Sequence, residues 1–227
     1  MTWIGDEKIL ENSTLGERVV ERTHGSGATV AFCRKPGYLR RYACFSTHFG
    51  SVDDRYRLGG GDEISLPDGV AHFLEHKMFE GPEEDAFLQF SRFGAQPNAF
   101  TTYLGTTYLF SCTDHFYPCL DHLVRFVQTP HFTTENVEKE KGIIGQEIRM
   151  YDDRPGWQVY LNLLTGLYKQ HPIAKEILGT EETIAGITPE LLQECWRVFY
   201  HPSNMILLAV GDEDENQFFE AASRLLS

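Results

Sequence analysis

Pro67-Asp-Gly-Val-Ala-His-Phe-Leu-Glu-His-Lys-Met-Phe79 is the stretch from which the rest of the chain can be read. Proline sits near the first helical turn, and Val70, Phe73 and Leu74 recur at helical spacing, so the segment is expected to be a helix that ends before Gly81-Pro82. A helix rises ~1.5 Å per residue with ~3.6 residues per turn, which puts His72, Glu75 and His76 on one face. Two imidazoles at i, i+4 can close on a single Zn²⁺ at ~2.0–2.1 Å. A carboxylate one residue before the second histidine can then reach a water on that ion without binding the metal itself.

A catalytic zinc needs a third protein ligand and an open position. The best source is the helix expected over Asn136-Val-Glu-Lys-Glu-Lys-Gly-Ile-Ile-Gly-Gln-Glu-Ile-Arg-Met-Tyr151. There Glu140 and Glu147 stand two turns apart on a face that also carries the apolar Ile144. Glu138, Lys139, Lys141 and Arg149 fit an ordinary solvated helix surface. Gly142 and Gly145 are disfavoured in mid-helix by ~1 kcal/mol each relative to alanine. They suggest a close backbone approach to a neighbouring helix that would bring Glu147 to the two histidines.

Outward from these helices, β-branched and aromatic runs at 18–23, 28–34 and 41–49, separated by His24-Gly-Ser-Gly27 and Pro36-Gly37, read as three hairpin-connected strands. A short helix is expected over 83–93 with Gly94 as its C-terminal cap. Strands follow at 96–101 and 106–112 around Gly105. The later half reads as helices over 115–128, 135–151, 156–169 and 189–200, with Thr133 or Thr134 and Thr188 as N-caps, then a strand at 205–210 and a helix at 215–226. The expected fold class is α+β, a mostly antiparallel or mixed sheet of about five to six strands with helices packed on one side.

Composition bounds the function. The 227 residues carry 20 Lys+Arg against 33 Asp+Glu, a formal net charge of −13, which argues against wrapping nucleic acid or docking electrostatically on an anionic membrane. No window reaches the ~18 apolar residues of a membrane span, and Met1-Thr-Trp-Ile-Gly-Asp-Glu7 is acidic where a secretory signal is basic and then apolar. A cytoplasmic chain without a targeting segment is therefore expected. Cys33, Cys44, Cys112, Cys119 and Cys195 are odd in number and scattered, which fits reduced core or strand residues.

At these residues the sequence resembles the inverzincin zinc peptidases, the family of pitrilysin, insulin-degrading enzyme and mitochondrial processing peptidase, and it is most similar to the bacterial processing-peptidase-like branch. The resemblance rests on Gly69-Val-Ala-His-Phe-Leu-Glu-His76, Gly94-Ala-Gln-Pro-Asn-Ala-Phe-Thr101, the helix with Glu140 and Glu147, and His201-Pro-Ser-Asn-Met205. It implies a half-domain of the pitrilysin type holding one Zn²⁺ through His72, His76 and Glu147, with Glu75 as general base and Glu140 as a catalytic carboxylate that supports activity by orienting a histidine or the base. The spacing between His76 and Glu147 is slightly shorter than in some relatives, which leaves Asp152 or Asp153 as an alternative third ligand. Asn98, Ala99 and Phe100 match the edge strand along which a substrate peptide lies as an added strand, an arrangement that suits the open N–H and C=O groups of a sheet edge.

The activity implied is zinc-dependent endopeptidase cleavage of peptides or unfolded segments. Residues 1–227 are expected to form one zinc-binding domain, with the family's second, non-zinc domain absent from this chain. Activity would then need that domain or a partner subunit, in a homo- or heterodimer. One alternative is a non-cleaving scaffold of the same fold. Another is a small-molecule metallohydrolase, which would need an enclosed pocket in place of an open strand edge.

Overall fold

The computed structural model describes residues 3–82 and 84–226. Among the described residues nine strands and eight α-helices follow in the order β1 (Trp3–Asn12), β2 (Glu17–His24), β3 (Thr29–Arg34), β4 (Arg41–Thr47), β5 (Arg55–Tyr56), β6 (Ile64–Ser65), α1 (Val70–Met78), α2 (Ala86–Arg92), β7 (Gln96–Thr101), β8 (Thr106–Cys112), α3 (Phe116–Gln128), α4 (Thr134–Asp152), α5 (Pro155–Leu167), α6 (Glu181–Ala185), α7 (Pro189–Phe199), β9 (Met205–Gly211) and α8 (Glu215–Leu225). Seven strands form one sheet in the order β1-β2-β3-β9-β4-β8-β7, and β5 and β6 form a separate pair. Only β3 and β9 run parallel; the other neighbours in the large sheet are antiparallel.

The α+β class and the mixed sheet hold, with seven strands in place of five to six. The additional one is β1. It pairs with β2 across an irregularity between Ile4 and Lys8 and is exposed along almost its whole length, so it lacks the buried alternation that marks a strand in a sequence. The runs at 18–23, 28–34 and 41–49 are expected to be hairpin-connected; β2 and β3 pair in this way, but β4 does not pair with β3. β9 inserts between β3 and β4. Its run Met205-Ile-Leu-Leu-Ala-Val-Gly211 is the most continuously apolar of the strands, which suits a central position.

One face of the sheet, including Val30, Phe32, Phe45, Tyr108, Phe110, Leu207 and Ala209, packs with α1, α3 and α8 into the core. On the opposite face Tyr42, Leu109, Leu208 and Val210 are only half-buried. All five cysteines are buried and unpaired. The second helix is shorter than expected: Asp85 caps it by accepting from the Phe87 N–H at 2.7 Å, and Glu83 lies outside the described residues. Gly94 follows it at φ +68°, as its capping role requires.

The start of α1 is fixed by a close approach. Gly69 takes φ +91°, and a Cβ there would stand 2.3 Å from the Leu178 carbonyl oxygen, so only glycine lets the two segments meet. Lys175 locks the same junction, with Nζ 3.0 Å from Asp54 Oδ2 and 2.8 Å from Asp68 Oδ1. Helix α4 begins with a reciprocal cap in which Asn136 N–H donates to Thr133 Oγ1 and Thr133 N–H donates to Asn136 Oδ1. Its buried stripe is Val137, Glu140, Ile144 and Ile148.

The reading of Gly142 and Gly145 as a close-approach pair does not hold. Gly142 is exposed with open space where a Cβ would go, and at Gly145 the nearest atom would be 3.8 Å away, an ordinary contact. It is the register of the buried stripe, seven residues from Glu140 to Glu147, that aims Glu147 at α1.

Two predictions follow from this packing. Gly142→Ala should stabilise the fold by about 0.5–1 kcal/mol, read as a higher urea midpoint at unchanged slope. Lys175→Ala should cost about 1 kcal/mol, since the lysine is partly exposed and solvent screens it. The Arg55 hydrogen bond and then that of Lys175 hold the Asp54 carboxyl below its usual range against the effect of burial, while Asp68 and Asp54 raise Lys175. The depressed carboxylate stabilises above about pH 4 and the raised ammonium below about pH 10, so the wild-type advantage should be flat between these limits. It should shrink as pH falls below the first or rises beyond the second; an advantage unchanged at pH 2 would refute the pairing.

Candidate metal centre

Helix α1 is buried on nearly every side: Val70, Ala71, Phe73, Leu74 and Met78 are buried, and so are His72, Glu75 and Lys77. The apolar set enters the core, and the polar set must find its partners on α4 and β7. His72 Nε2 and His76 Nε2 lie 3.8 and 3.5 Å from Glu147 Oε2, and the two imidazole rings are 4.6 Å apart. Among the described residues, His72, His76 and Glu147 are the one group of three or more metal-capable side chains whose ligand atoms all fall within 4.8 Å of one another. Asp152 and Asp153, the alternative third ligands, are not part of that group.

The donor set suits a zinc ion. Two imidazole nitrogens and one carboxylate oxygen are a familiar three-ligand set, and a tetrahedral ion with ~2.1 Å bonds holds its ligands roughly 3.4 Å apart, close to the separations here. Burial and the neighbouring His76 push His72 down to about 3, so this imidazole is neutral at pH 7 with a lone pair to give. Its Nδ1 is buried with no hydrogen-bond partner.

His76 is set differently. Its Nδ1 lies 3.0 Å from Glu140 Oε1, and because a carboxylate only accepts, Nδ1 carries the proton and Nε2 is left facing Glu147. Burial opposes protonation of His76, but the Glu140 hydrogen bond and the charges of Glu75, Glu140 and Glu147 together hold it above the usual imidazole range. Burial likewise opposes ionisation of Glu140, and is outweighed by His76 and Lys77, which keep it below the usual carboxylate range.

Glu75 stands outside the three-ligand group. The Thr101 hydroxyl, at the end of β7, donates to its Oε2 at 2.7 Å. Burial raises its pKa and exceeds the lowering by Thr101 and His76. Asn98, Ala99 and Phe100 lie on β7, which among the described residues pairs only with β8 and stands at one edge of the sheet. A cleft lined by Glu75, His76, Phe79, Asn98, Ala99 and Glu140 runs between that edge and His76.

Three participants escape a reading of the sequence. Thr101 is legible only as the end of a strand. Lys77 and Glu80 look like ordinary helix-end charges, although Lys77 is fully buried and its Nζ pairs with Glu80 and, at 3.4 Å, with Glu140 Oε2. No helix among the described residues is long and apolar enough to cross a membrane.

Comparison with known proteins agrees with this architecture. Residues 61–181 match the family profile described as Insulinase (Peptidase family M16), and residues 186–227 match the Peptidase M16 inactive domain. The chain is 48% identical over 208 residues to the "Uncharacterized zinc protease YmfH" of Bacillus subtilis (strain 168), which covers 91% of this chain and 49% of that protein. The crystal structure of a putative M16-like peptidase from Alicyclobacillus acidocaldarius superposes with a TM-score of 0.89 at 42% identity, covering 95% of this chain and 50% of that one. Pitrilysin shares the fold, with a TM-score of 0.81 at 18% identity over 98% of this chain and 24% of its own. The chain thus spans about half the length of the curated relative it matches, and it belongs to peptidase family M16.

Proposed function

We propose that this chain is the metal-binding domain of a zinc-dependent endopeptidase that hydrolyses peptides or unfolded segments, with one Zn²⁺ held by His72, His76 and Glu147. The observation that carries this reading is the convergence of those three ligand groups beside a separately held carboxylate, Glu75, and a free strand edge. When bound, the ion supplies Lewis acidity that lowers the pKa of a water and polarises a carbonyl.

Glu75 is the general base. Thr101 holds one of its oxygens, the other remains free, and its raised pKa suits a carboxyl that takes a proton from water and returns it to the leaving amine near neutral pH. The free edge of β7 at Asn98, Ala99 and Phe100 receives the peptide as an added strand, so main-chain hydrogen bonds align the scissile bond without demanding particular side chains. Glu140 fixes the tautomer and orientation of His76.

Because the relatives are about twice as long, the working peptidase is proposed to include a second family domain, either in a longer polypeptide or in a partner subunit of a homo- or heterodimer. That domain would close over the cleft. A cytoplasmic setting, where thiols stay reduced, fits the five unpaired cysteines.

Elemental analysis should find one zinc per chain, and removing it should lower the melting temperature, since a ligand at 100 times its Kd adds about 2.7 kcal/mol to the folded state. Glu75→Gln should keep the zinc and lower quenched-peptide cleavage by roughly 10²–10⁴-fold in the assembled enzyme, whereas His72→Ala should lose both zinc and the thermal shift. Absence of metal under every loading condition would sink the ligand assignment. Full zinc with no cleavage in the assembled protein would favour a non-cleaving scaffold.

A further inference from the structure

We propose that Lys77 is a positioning residue for the metal centre: its buried ammonium clamps one oxygen of Glu140 so that the other is held against His76. The inference rests on the zinc-site reading above and adds to it a residue that is neither ligand nor base.

Lys77 has no exposed surface. A lysine in that position must have its charge answered, and it is answered twice, by Glu80 just beyond the end of the same helix and by Glu140 Oε2 at 3.4 Å across the α1–α4 contact. Glu140 is itself buried and gives its second oxygen, Oε1, to His76 Nδ1 at 3.0 Å. The carboxylate thus has one oxygen for the lysine and one for the histidine. With Oε2 anchored, rotation about the terminal bond of Glu140 would break two charge-assisted contacts at once, so Oε1 keeps its line to Nδ1 and Nε2 keeps its direction toward Glu147.

Stability alone does not explain the arrangement. A buried ion pair is often no better for stability than apolar side chains of the same volume, and replacing one can even stabilise a fold. The face of α1 around Lys77 already has Phe73 and Leu74, one turn earlier, packed in the core, so an apolar residue of similar length would serve the packing. The ammonium adds a fixed orientation for Glu140. Lys77 also ties the centre to the cleft, because Glu80, its other partner, lines the same cleft as Glu75 and His76.

The test is a double-mutant cycle of Lys77→Met, Glu140→Gln and the pair, read by zinc affinity in competition with a chromophoric chelator and by the visible absorption of the Co²⁺-loaded protein. Far-UV circular dichroism and the melt of the metal-free form report on folding. Lys77→Met should stay folded, bind zinc about 10–100-fold more weakly and change the Co²⁺ bands. In the Glu140→Gln background the same substitution should change zinc affinity less than about threefold, because the lysine acts through that carboxylate. Should Lys77→Met fail to fold, the cycle is run with Lys77→Gln, whose neutral amide fits the space without the charge and carries the same expectations.

A folded lysine variant with wild-type zinc affinity and an unchanged Co²⁺ spectrum would overturn the proposal, as would losses that simply add in the double variant. Failure of the underlying reading looks different: the wild-type chain itself would then bind no zinc, and both would fall. If zinc binding follows the cycle but no peptide is cut, only the peptidase assignment is lost.

Discussion

Helix α1 is buried on both its apolar and its polar sides, and most of the rest of the structure answers that constraint. A nine-residue helix puts Phe73, Leu74 and Met78 into the core while carrying His72, Glu75 and Lys77 away from water; Glu75 and Lys77 find hydrogen-bond partners, and His72 Nδ1 is left without one. The sheet supplies the apolar half. Helix α4 supplies Glu140 and Glu147, and the end of β7 supplies the Thr101 hydroxyl. The tight junction at Gly69 and the Lys175 clamp set where α1 begins, and so which of its side chains each neighbour meets.

How much of this was legible beforehand varies with how local each cause is. The histidine pair and Glu75 are visible because i, i+4 spacing on a helix is a local property, and β7, β8 and the Thr133 cap follow from equally local turn and capping chemistry. Strand β1 was hidden because an exposed edge strand obeys no burial pattern. The insertion of β9 between β3 and β4 was hidden because it is a decision about which apolar strand takes the centre, made across more than 150 residues of chain. The glycines of α4 misled for a related reason: mid-helix glycine has several causes, and only the space around it separates them.

The same distinction separates the site's members. Glu147 and Glu140 were found through their seven-residue spacing, a helical regularity. Thr101 and Lys77 owe their roles to tertiary neighbours alone. A lysine beside a histidine at the end of a helix gives no sign in sequence that it will have no exposed surface, and its burial follows from the way α4 and the turn at Glu80 close over it.

Electrostatics explains why so polar a cluster is tolerated. Glu75, Glu80, Glu140 and Glu147 share a small volume with one ammonium, which leaves an excess of negative charge around the two histidines. Such a cluster is a poor way to hold two helices together, and core residues of equal volume would do it better. It is a good way to favour a small dication over water, and the division of labour around it is consistent: the neutral His72 offers a lone pair, His76 is oriented by an anchored carboxylate, and Glu75 is tied to the strand edge instead of the ligand group. Stability therefore rests on the sheet and its apolar face, and the buried polar groups of α1 add little to it.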